Sequence, residues 1–316
     1  NIPQQMKLSI VTTLYGSAAY INEFYERSLL VARELVGEDF EIIFVNDGSP
    51  DNSLEIGLSL MEQDEKIKII DLSRNFGHHK AMMLGLEHAQ GKKIFLIDID
   101  LEEQPEWLVS FNSLMLSEDA DVVYGVQASR KGNFFERMSG YFFYRLFHFF
   151  TKLDQANNIT TARLMSSRYV QALISHRERE INIGGLWVIT GFKQCHHEVT
   201  KLSTSPSVYT NRHKLDHLMN SITSFSSLPL RFSFYAGVAI SFSAFLFIGY
   251  QFYLYIFKTP PEGYVSVIAS IWLFSGLIIL LNSIQGIYIS KIFMEVKQRP
   301  QTIIRKIYQT NEQDSL

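Results

Sequence analysis

Over the first 130 residues, apolar and polar positions fall into short runs whose period switches repeatedly. Residues 7–14 (KLSIVTTL), 40–45 (FEIIFV), 67–72 (IKIIDL) and 93–97 (KIFLI) are mostly apolar runs of strand length. Between them, 21–36, 53–61 and 80–89 place apolar residues at helical spacing. A helix over 107–115 and a strand over 121–126 continue the series. Strands separated by helices predict a largely parallel α/β sheet covered on both faces.

The pattern changes further on. Residues 133–151 are crowded with aromatics (FFERMSGYFFYRLFHFF), interrupted by Arg137, Arg145 and His148. This predicts an amphipathic helix in a membrane interface, with a buried helix of a soluble domain as the alternative. Residues 213–227 are a candidate second interfacial helix. Residues 232–257 and 264–290 contain no Asp, Glu, Lys or Arg, and each exceeds the roughly 20 residues that span a bilayer. Only KTPPEG joins them, so a transmembrane hairpin is expected. Arg231 precedes the first span, and Lys291, Lys297, Arg299, Arg305 and Lys306 follow the second. The positive-inside rule then puts both ends in the cytoplasm. The expected organisation is a cytoplasmic domain over 1–212, a juxtamembrane helix over 213–230, two spans within 231–291 and a cytoplasmic tail over 292–316.

Composition adds two exclusions. A net charge of −3 gives no electrostatic reason to bind nucleic acid. The single cysteine, Cys195, rules out an intrachain disulfide and argues against structural zinc.

The candidate chemistry sits where the strands end. Ligands on parallel sheets bind at the carboxyl ends of the strands, which gathers Tyr15, Asp47, Arg74, Asp98 and Asp100 on one rim. Asp98 and Asp100, two apart after a buried run, would face the same way. Two such carboxylates need a cation between them, and a hard divalent ion such as Mg²⁺ or Mn²⁺ prefers oxygen ligands. Glu102 would be the next oxygen. Asp47 ends the second strand in NDGSPDNS, placed either to accept from a base or ribose or simply to begin a turn and helix cap. Arg74 can bind phosphate or stack on a base. His78 and His79 read as polar loop residues. No G-x-G-x-x-G, Walker A or G-x-S-x-G pattern is present.

The order VTTLY, VNDGSPDNS, LSRNFGHHKAMMLGLEHAQG, LIDIDLEEQPEWL, VVYGVQASRKG and ITSFSSLPLR resembles family 2 glycosyltransferases. Closest is the branch of dolichol-phosphate mannose synthases and bacterial polyprenyl-phosphate glycosyltransferases. The resemblance implies a glycosyltransferase-A fold, with a Rossmann-like, mostly parallel sheet followed by the hairpin. It implies an inverting transfer from a nucleotide-sugar donor to a polyprenyl-phosphate acceptor at the inner membrane. Thr13, Tyr15, Asp47, Arg74 and Asp98 would then bind the nucleotide. Asp98, Asp100 and Glu102 would hold Mg²⁺ or Mn²⁺. Arg130 in the S-R-x-G stretch would bind the acceptor phosphate and act in catalysis with the two aspartates, with Arg137 and Arg163 as further phosphate contacts. The transmembrane region would be the surface for any homo-oligomer. Three departures bear on substrate choice. Glu102 stands where the family often has Gln, Tyr15-Gly16-Ser17 replaces the usual turn after the first strand, and Thr160-Thr161-Ala162-Arg163-Leu164 replaces a stretch that often carries an acid. The competing readings are a glycosyltransferase of the same fold acting on another lipid-linked saccharide acceptor and a degenerate membrane scaffold, and the intact Asp98/Asp100 pair speaks against the scaffold. A processive synthase would carry a Q-x-x-R-W motif, which this chain lacks.

Overall fold

In the first strand, β1 (Leu8–Leu14), Leu8, Ile10 and Leu14 pack on one face and Val11 on the other. The second, β2 (Phe40–Asn46), splits the same way, with Phe40, Ile42 and Phe44 opposite Ile43 and Val45. Side chains alternate across a strand, so both faces must be covered. Helices α1 (Ile21–Val36), α2 (Ser53–Met61) and α4 (Trp107–Ser117) cover the first face. Helices α3 (His78–Glu87), α5 (Ser167–Ile174) and α6 (Ile183–Ile189) cover the second. These coordinates come from a computed structural model that describes residues 6–127, 158–179, 181–202, 228–257 and 263–310.

Among the described residues the sheet has eight strands in the order β7-β5-β6-β4-β1-β2-β3-β8. The remaining six are β3 (Ile67–Leu72), β4 (Lys93–Leu96), β5 (Val122–Gln127), β6 (Ile159–Ser166), β7 (Gln194–Val199) and β8 (Ile304–Tyr308). Pairing is parallel for β1 with β2 and β4, β2 with β3, and β5 with β7. It is antiparallel for β6 with β4 and β5, and for β8 with β3. The mostly parallel sheet of the sequence reading is therefore a mixed one. Strand β8, in what reads as a tail, covers an edge that would otherwise expose unpaired backbone groups.

Helix α3 starts two residues earlier than the apolar spacing suggests. Gly77, at φ 105°, turns the chain so that His78 and His79 form its first turn rather than a loop. At Gly85 a β-carbon would lie 2.5 Å from Val11 Cγ1 and 3.0 Å from Val45 Cγ2, so the helix rests on the sheet where only glycine fits.

Chain contacts define two units. The sheet and its helices form the first, together with residues 299–310. The second holds α7 (Leu228–Phe257) and α8 (Tyr264–Lys297), helices of 30 and 34 residues. Within α8, Leu273–Lys297 has a mean hydropathy of 1.6 and is long and apolar enough to cross a bilayer. Among the described residues it stands alone in that. The described apolar stretch of α7, Leu228–Ile240, is shorter than a span requires. The expected two-span hairpin is thus supported here as one candidate membrane helix at the C-terminal side. The candidate interfacial segments at 133–151 and 213–227 lie outside the described residues.

Packing at Gly85 gives a first test. Gly85→Val should overpack the sheet and lower stability by about 1–3 kcal/mol. Thermal unfolding of the purified full chain checks this, and an unchanged midpoint would refute the contact.

Candidate active site

The carboxyl ends of β1 and β2, and the segments after β3 and β4, enclose a cavity of about 370 Å³. It is lined by Thr13, Tyr15, Ser17, Asp47, Asn75, Gly77, His78, Asp98, Ile99 and Asp100. The register that aligns Leu14 with Asn46 and Asn46 with Asp71 brings these ends level.

Two knots of hydrogen bonds shape one wall. Asp47 is buried, and its carboxylate accepts from the amides of Phe76 (2.7 Å) and Gly77 (3.0 Å). Burial pushes its pKa up even though these amides and the nearby His78 and Arg74 favour the charge. Gly48 follows at φ 61°, where a β-carbon would lie 2.6 Å from the backbone of Arg74 and Asn75. The turn therefore needs glycine for both conformation and space. Asp51 forms the second knot. It accepts from the Ser49 and Ser53 hydroxyls, each at 2.5 Å, and from the Ala18 amide at 3.1 Å. Burial opposes the charge, but these donors pull its pKa down to about 2. Ser49 in turn accepts from the Gly16 amide at 2.7 Å, fixing the loop that carries Tyr15. Tyr15 is 56% exposed, as a side chain offered to a planar ligand would be.

Another part of the lining is acidic. Asp98 and Asp100 both line the cavity. His78 bridges Thr13 and Asp98, with Nδ1 2.9 Å from Thr13 Oγ1 and Nε2 3.1 Å from Asp98 Oδ1. Burial disfavours charge on both, but their contact outweighs it, raising the pKa of His78 and lowering that of Asp98. Among the described residues Asp98 Oδ1 is buried with no hydrogen-bond partner. Asp100 is pushed up by burial and by the charges of Asp98 and Glu102, while its Oδ1 accepts from the Glu102 amide at 3.0 Å.

Behind this wall lies a pair that sequence reasoning missed. Glu103 is fully buried. It accepts from the amides of Thr161 (3.0 Å) and Ala162 (2.6 Å) and from Lys201 Nζ (2.6 Å). Burial and the charge of Asp98 raise its pKa. Burial opposes charge on Lys201, but Glu103, Asp98 and Asp100 raise its pKa. Leu202 also donates to the Glu102 carbonyl at 3.0 Å. The acid loop is thereby tied to the start of β6 and to the segment after β7. Glu103 adjoins the acid pair in sequence, a signal that was available; nothing local marks Lys201.

Of the predicted site residues, Thr13, Tyr15, Asp47, Asp98 and Asp100 come together in the cavity. Arg74 is exposed outside its lining, with its guanidinium 4.1 Å from the Phe76 ring centroid. Glu102 is half-buried and outside the lining. Arg163 is buried in β6, its guanidinium carbon 2.9 Å from the Trp187 ring centroid and its nitrogens near the carbonyls of Thr160 and Thr161. Burial pulls its pKa down to about 9. Arg130 and Arg137 lie outside the described residues. His78, read as a loop residue, lies at the centre of the acid wall.

The donor set bears on a metal. Among the described residues no group of three or more His, Cys, Asp or Glu side chains is arranged to hold one. Two carboxylates on one cavity wall, one with a buried oxygen lacking a hydrogen bond, fit a hard cation that takes its remaining ligands from water or a phosphate.

A sheet of this kind with an acid pair at its strand ends defines a class of α/β proteins that bind charged ligands at the sheet rim. The family model for "Glycosyl transferase family 2" matches residues 9–172, and the chain belongs to that family. A Mycobacterium tuberculosis protein, described only provisionally as a glycosyltransferase, is 46% identical over 304 residues, covering 96% of this chain and 89% of that one. The SfII prophage-derived bactoprenol glucosyl transferase of Shigella flexneri is 29% identical over 310 residues, covering 97% of this chain and all of that one. Among solved structures, the mannosyltransferase PcManGT from Pyrobaculum calidifontis, in complex with GDP-Man and Mn²⁺, aligns with a TM-score of 0.49 at 13% identity. It covers 70% of this chain and 64% of its own, a likeness too slight to bear on the site.

The Glu103–Lys201 pair generates a stability test. Lys201→Met leaves a buried carboxylate without its cation and should cost about 3 kcal/mol near neutral pH. Because the raised pKa of Glu103 lets it neutralise sooner than an ordinary glutamate, the deficit should narrow as pH falls. Thermal unfolding of Lys201→Met and Lys201→Arg across pH 5–8 checks this. Equal midpoints for wild type and Lys201→Met at pH 7.5 would rule the pair out as a stabilising element.

Proposed function

We propose that the chain transfers a sugar from a nucleotide-sugar to a polyprenyl phosphate at the inner face of the cytoplasmic membrane. The observation that carries this reading is the cavity itself. It gathers Asp98 and Asp100 with the exposed Tyr15 ring and the Asp47 turn in one lining, a set of groups suited to a base, a ribose and a diphosphate. The acceptor class is supported by the bactoprenol glucosyl transferase matched along the whole chain and by the apolar helix Leu273–Lys297.

In this reading Asp98 and Asp100 hold Mg²⁺ or Mn²⁺, which when bound offsets the charge gathering on the departing diphosphate. His78 keeps Asp98 oriented and ionised. Tyr15 stacks on the base, and the Asp47 turn holds the 76–77 amides at the rim. The acceptor is a phosphate, already ionised at neutral pH. Its oxygen attacks the anomeric carbon, the bond from that carbon to the diphosphate breaks, and configuration inverts without a strong general base. Catalysis then rests on placement and charge compensation. Arg130 and Arg137 are the cations proposed for the acceptor phosphate. Arg163, stacked inside the fold, would serve that site by bracing β6.

The proposed hairpin draws support from connectivity. Strand β8 belongs to the same sheet as β3. The chain leaves that sheet before α7 and rejoins it after α8, a connectivity with which an even number of crossings, such as a hairpin makes, is consistent.

Two experiments test the reading. Purified full chain, incubated with a panel of nucleotide-sugars and polyprenyl phosphate, should yield a glycosylated lipid by mass spectrometry. Asp98→Asn and Asp100→Asn should each lower turnover by at least about 100-fold while the protein stays folded. Transfer that persists in EDTA, or in both variants, would show the metal assignment to be wrong; no lipid product from any donor would sink the acceptor class. For topology, reporters fused at the two ends should both be cytoplasmic and one in the 258–263 loop should be external. A reporter pair on opposite sides would exclude the hairpin.

A further inference from the structure

We propose that Arg305, on the strand that returns after the apolar helices, is a positioning residue for the nucleotide end of the cavity; this rests on the nucleotide-sugar reading above. The pairing of β8 with β3 slips at one point. Asp71 faces Lys306 and Leu72 faces Ile304, leaving Arg305 as the extra residue of a bulge. Bulges re-aim a side chain, and here the guanidinium turns back over the end of β3. One arm lies 3.3 Å from Asp71 Oδ2 and the other donates to the Ser73 carbonyl at 2.8 Å.

Asp71 is buried, and among the described residues its Oδ2 has no hydrogen-bond partner, so Arg305 is its charge complement. Its other oxygen accepts from Asn46 Nδ2 at 2.7 Å. Asn46 Oδ1 accepts from the Ser49 amide at 3.1 Å, and Ser49 holds the loop carrying Tyr15. Ser73 is gripped twice, since its amide also donates to the Ile303 carbonyl at 2.9 Å. From Ser73 the chain runs to Asn75 and Gly77 in the cavity lining, then to the amides held by Asp47. One arginine therefore braces both sides of the nucleotide end. The tail is also tied down ahead of the strand, by bonds from Arg179 to the Arg299 carbonyl (2.6 Å) and from Gln301 to the Glu178 carbonyl (2.5 Å).

A strand that only covered a sheet edge would need none of this side-chain network. The two roles separate experimentally in the full chain in detergent, with UDP and GDP as probes. Arg305→Ala should weaken whichever nucleotide binds wild type by about tenfold. It should raise the nucleotide-sugar KM while leaving kcat and the lipid KM within about twofold. Arg305→Lys should recover part of the affinity, because a single ammonium cannot span both acceptors. Lys306→Ala, on the same strand, should bind like wild type. Hydrogen exchange provides a reading independent of nucleotide: amides of residues 73–77 should lose protection in Arg305→Ala while those of β1 and β2 keep theirs. If Arg305→Ala does not fold, Asp71→Asn/Arg305→Ala removes the stranded charge and is measured instead. Unchanged affinity with unchanged 73–77 exchange, or protection lost evenly across the sheet, overturns the proposal. Wild type that binds neither nucleotide would instead count against the nucleotide reading, and the exchange result would still judge the brace.

Discussion

Because the central sheet is buried on both faces, polar side chains along β1 and β2 reach a ligand only where the strands stop. Leu8 to Leu14 and Phe40 to Asn46 are buried throughout. The parallel register makes these strands stop together. Everything that can meet a charged molecule is therefore crowded into one rim, and so are the costs of placing charge there. Asp47, Asp71, Asp98, Asp100 and Glu103 all lie at or just behind it. Five acids in so small a volume would repel one another and resist desolvation. The structure answers with local donors for some and cations for others.

The division of labour follows burial. Asp47 and Asp51 are held by amides and hydroxyls, which orient a carboxylate without cancelling its charge. Asp71 and Glu103, the two most deeply enclosed, each have a long basic side chain, Arg305 and Lys201. Asp98 has His78, with the Thr161 side chain and the charge of Lys201 also favouring its ionised form, and Asp100 has an amide. Of the three acids that line the cavity, Asp47 has two amides, whereas Asp100 has one and Asp98 leans chiefly on His78. Two carboxylates facing an open space leave a deficit of positive charge there, which a hard cation can meet.

What could be read from the sequence was what is local. Asp98 and Asp100 follow a buried run, so their location was legible, but the strand ends at Leu96 and a turn rather than strand alternation brings both to the cavity. Asp47 was equally visible as a strand end, although its partners at Phe76 and Gly77 lie 29 and 30 residues on. His78 was misread because Gly77 sets the helix start through a positive φ, which apolar spacing cannot register. Arg163 illustrates the opposite error. Its place in TARLM suggested a phosphate contact, but β6 lies between β4 and β5 with helices over the sheet, and such a strand has little face left for solvent. Lys201 and β8 were out of reach. Each meets its partner about a hundred residues or more away, and neither carries a periodicity that distinguishes it from a tail or linker.

The return of β8 changes how the apolar region relates to the catalytic sheet. Arg305 and Ser73 are 232 residues apart, a separation that suggests a prohibitive closure cost. Closure entropy grows only with the logarithm of loop length, so doubling a loop adds about 0.6 kcal/mol. Most of that cost would be spent already if two membrane spans bring 228 and 297 back to one surface, leaving a short segment to dock. Against it stand the ladder of β8 on β3, the Arg305 fork and the contacts of Arg299 and Gln301. Under the proposed hairpin, the tail would need no special affinity to stay bound. A chain that failed to return would leave Asp71 buried beside the nucleotide end without its cation, and the sheet edge open. Whatever else the two long helices do, the chain that follows them returns to the sheet and completes the domain.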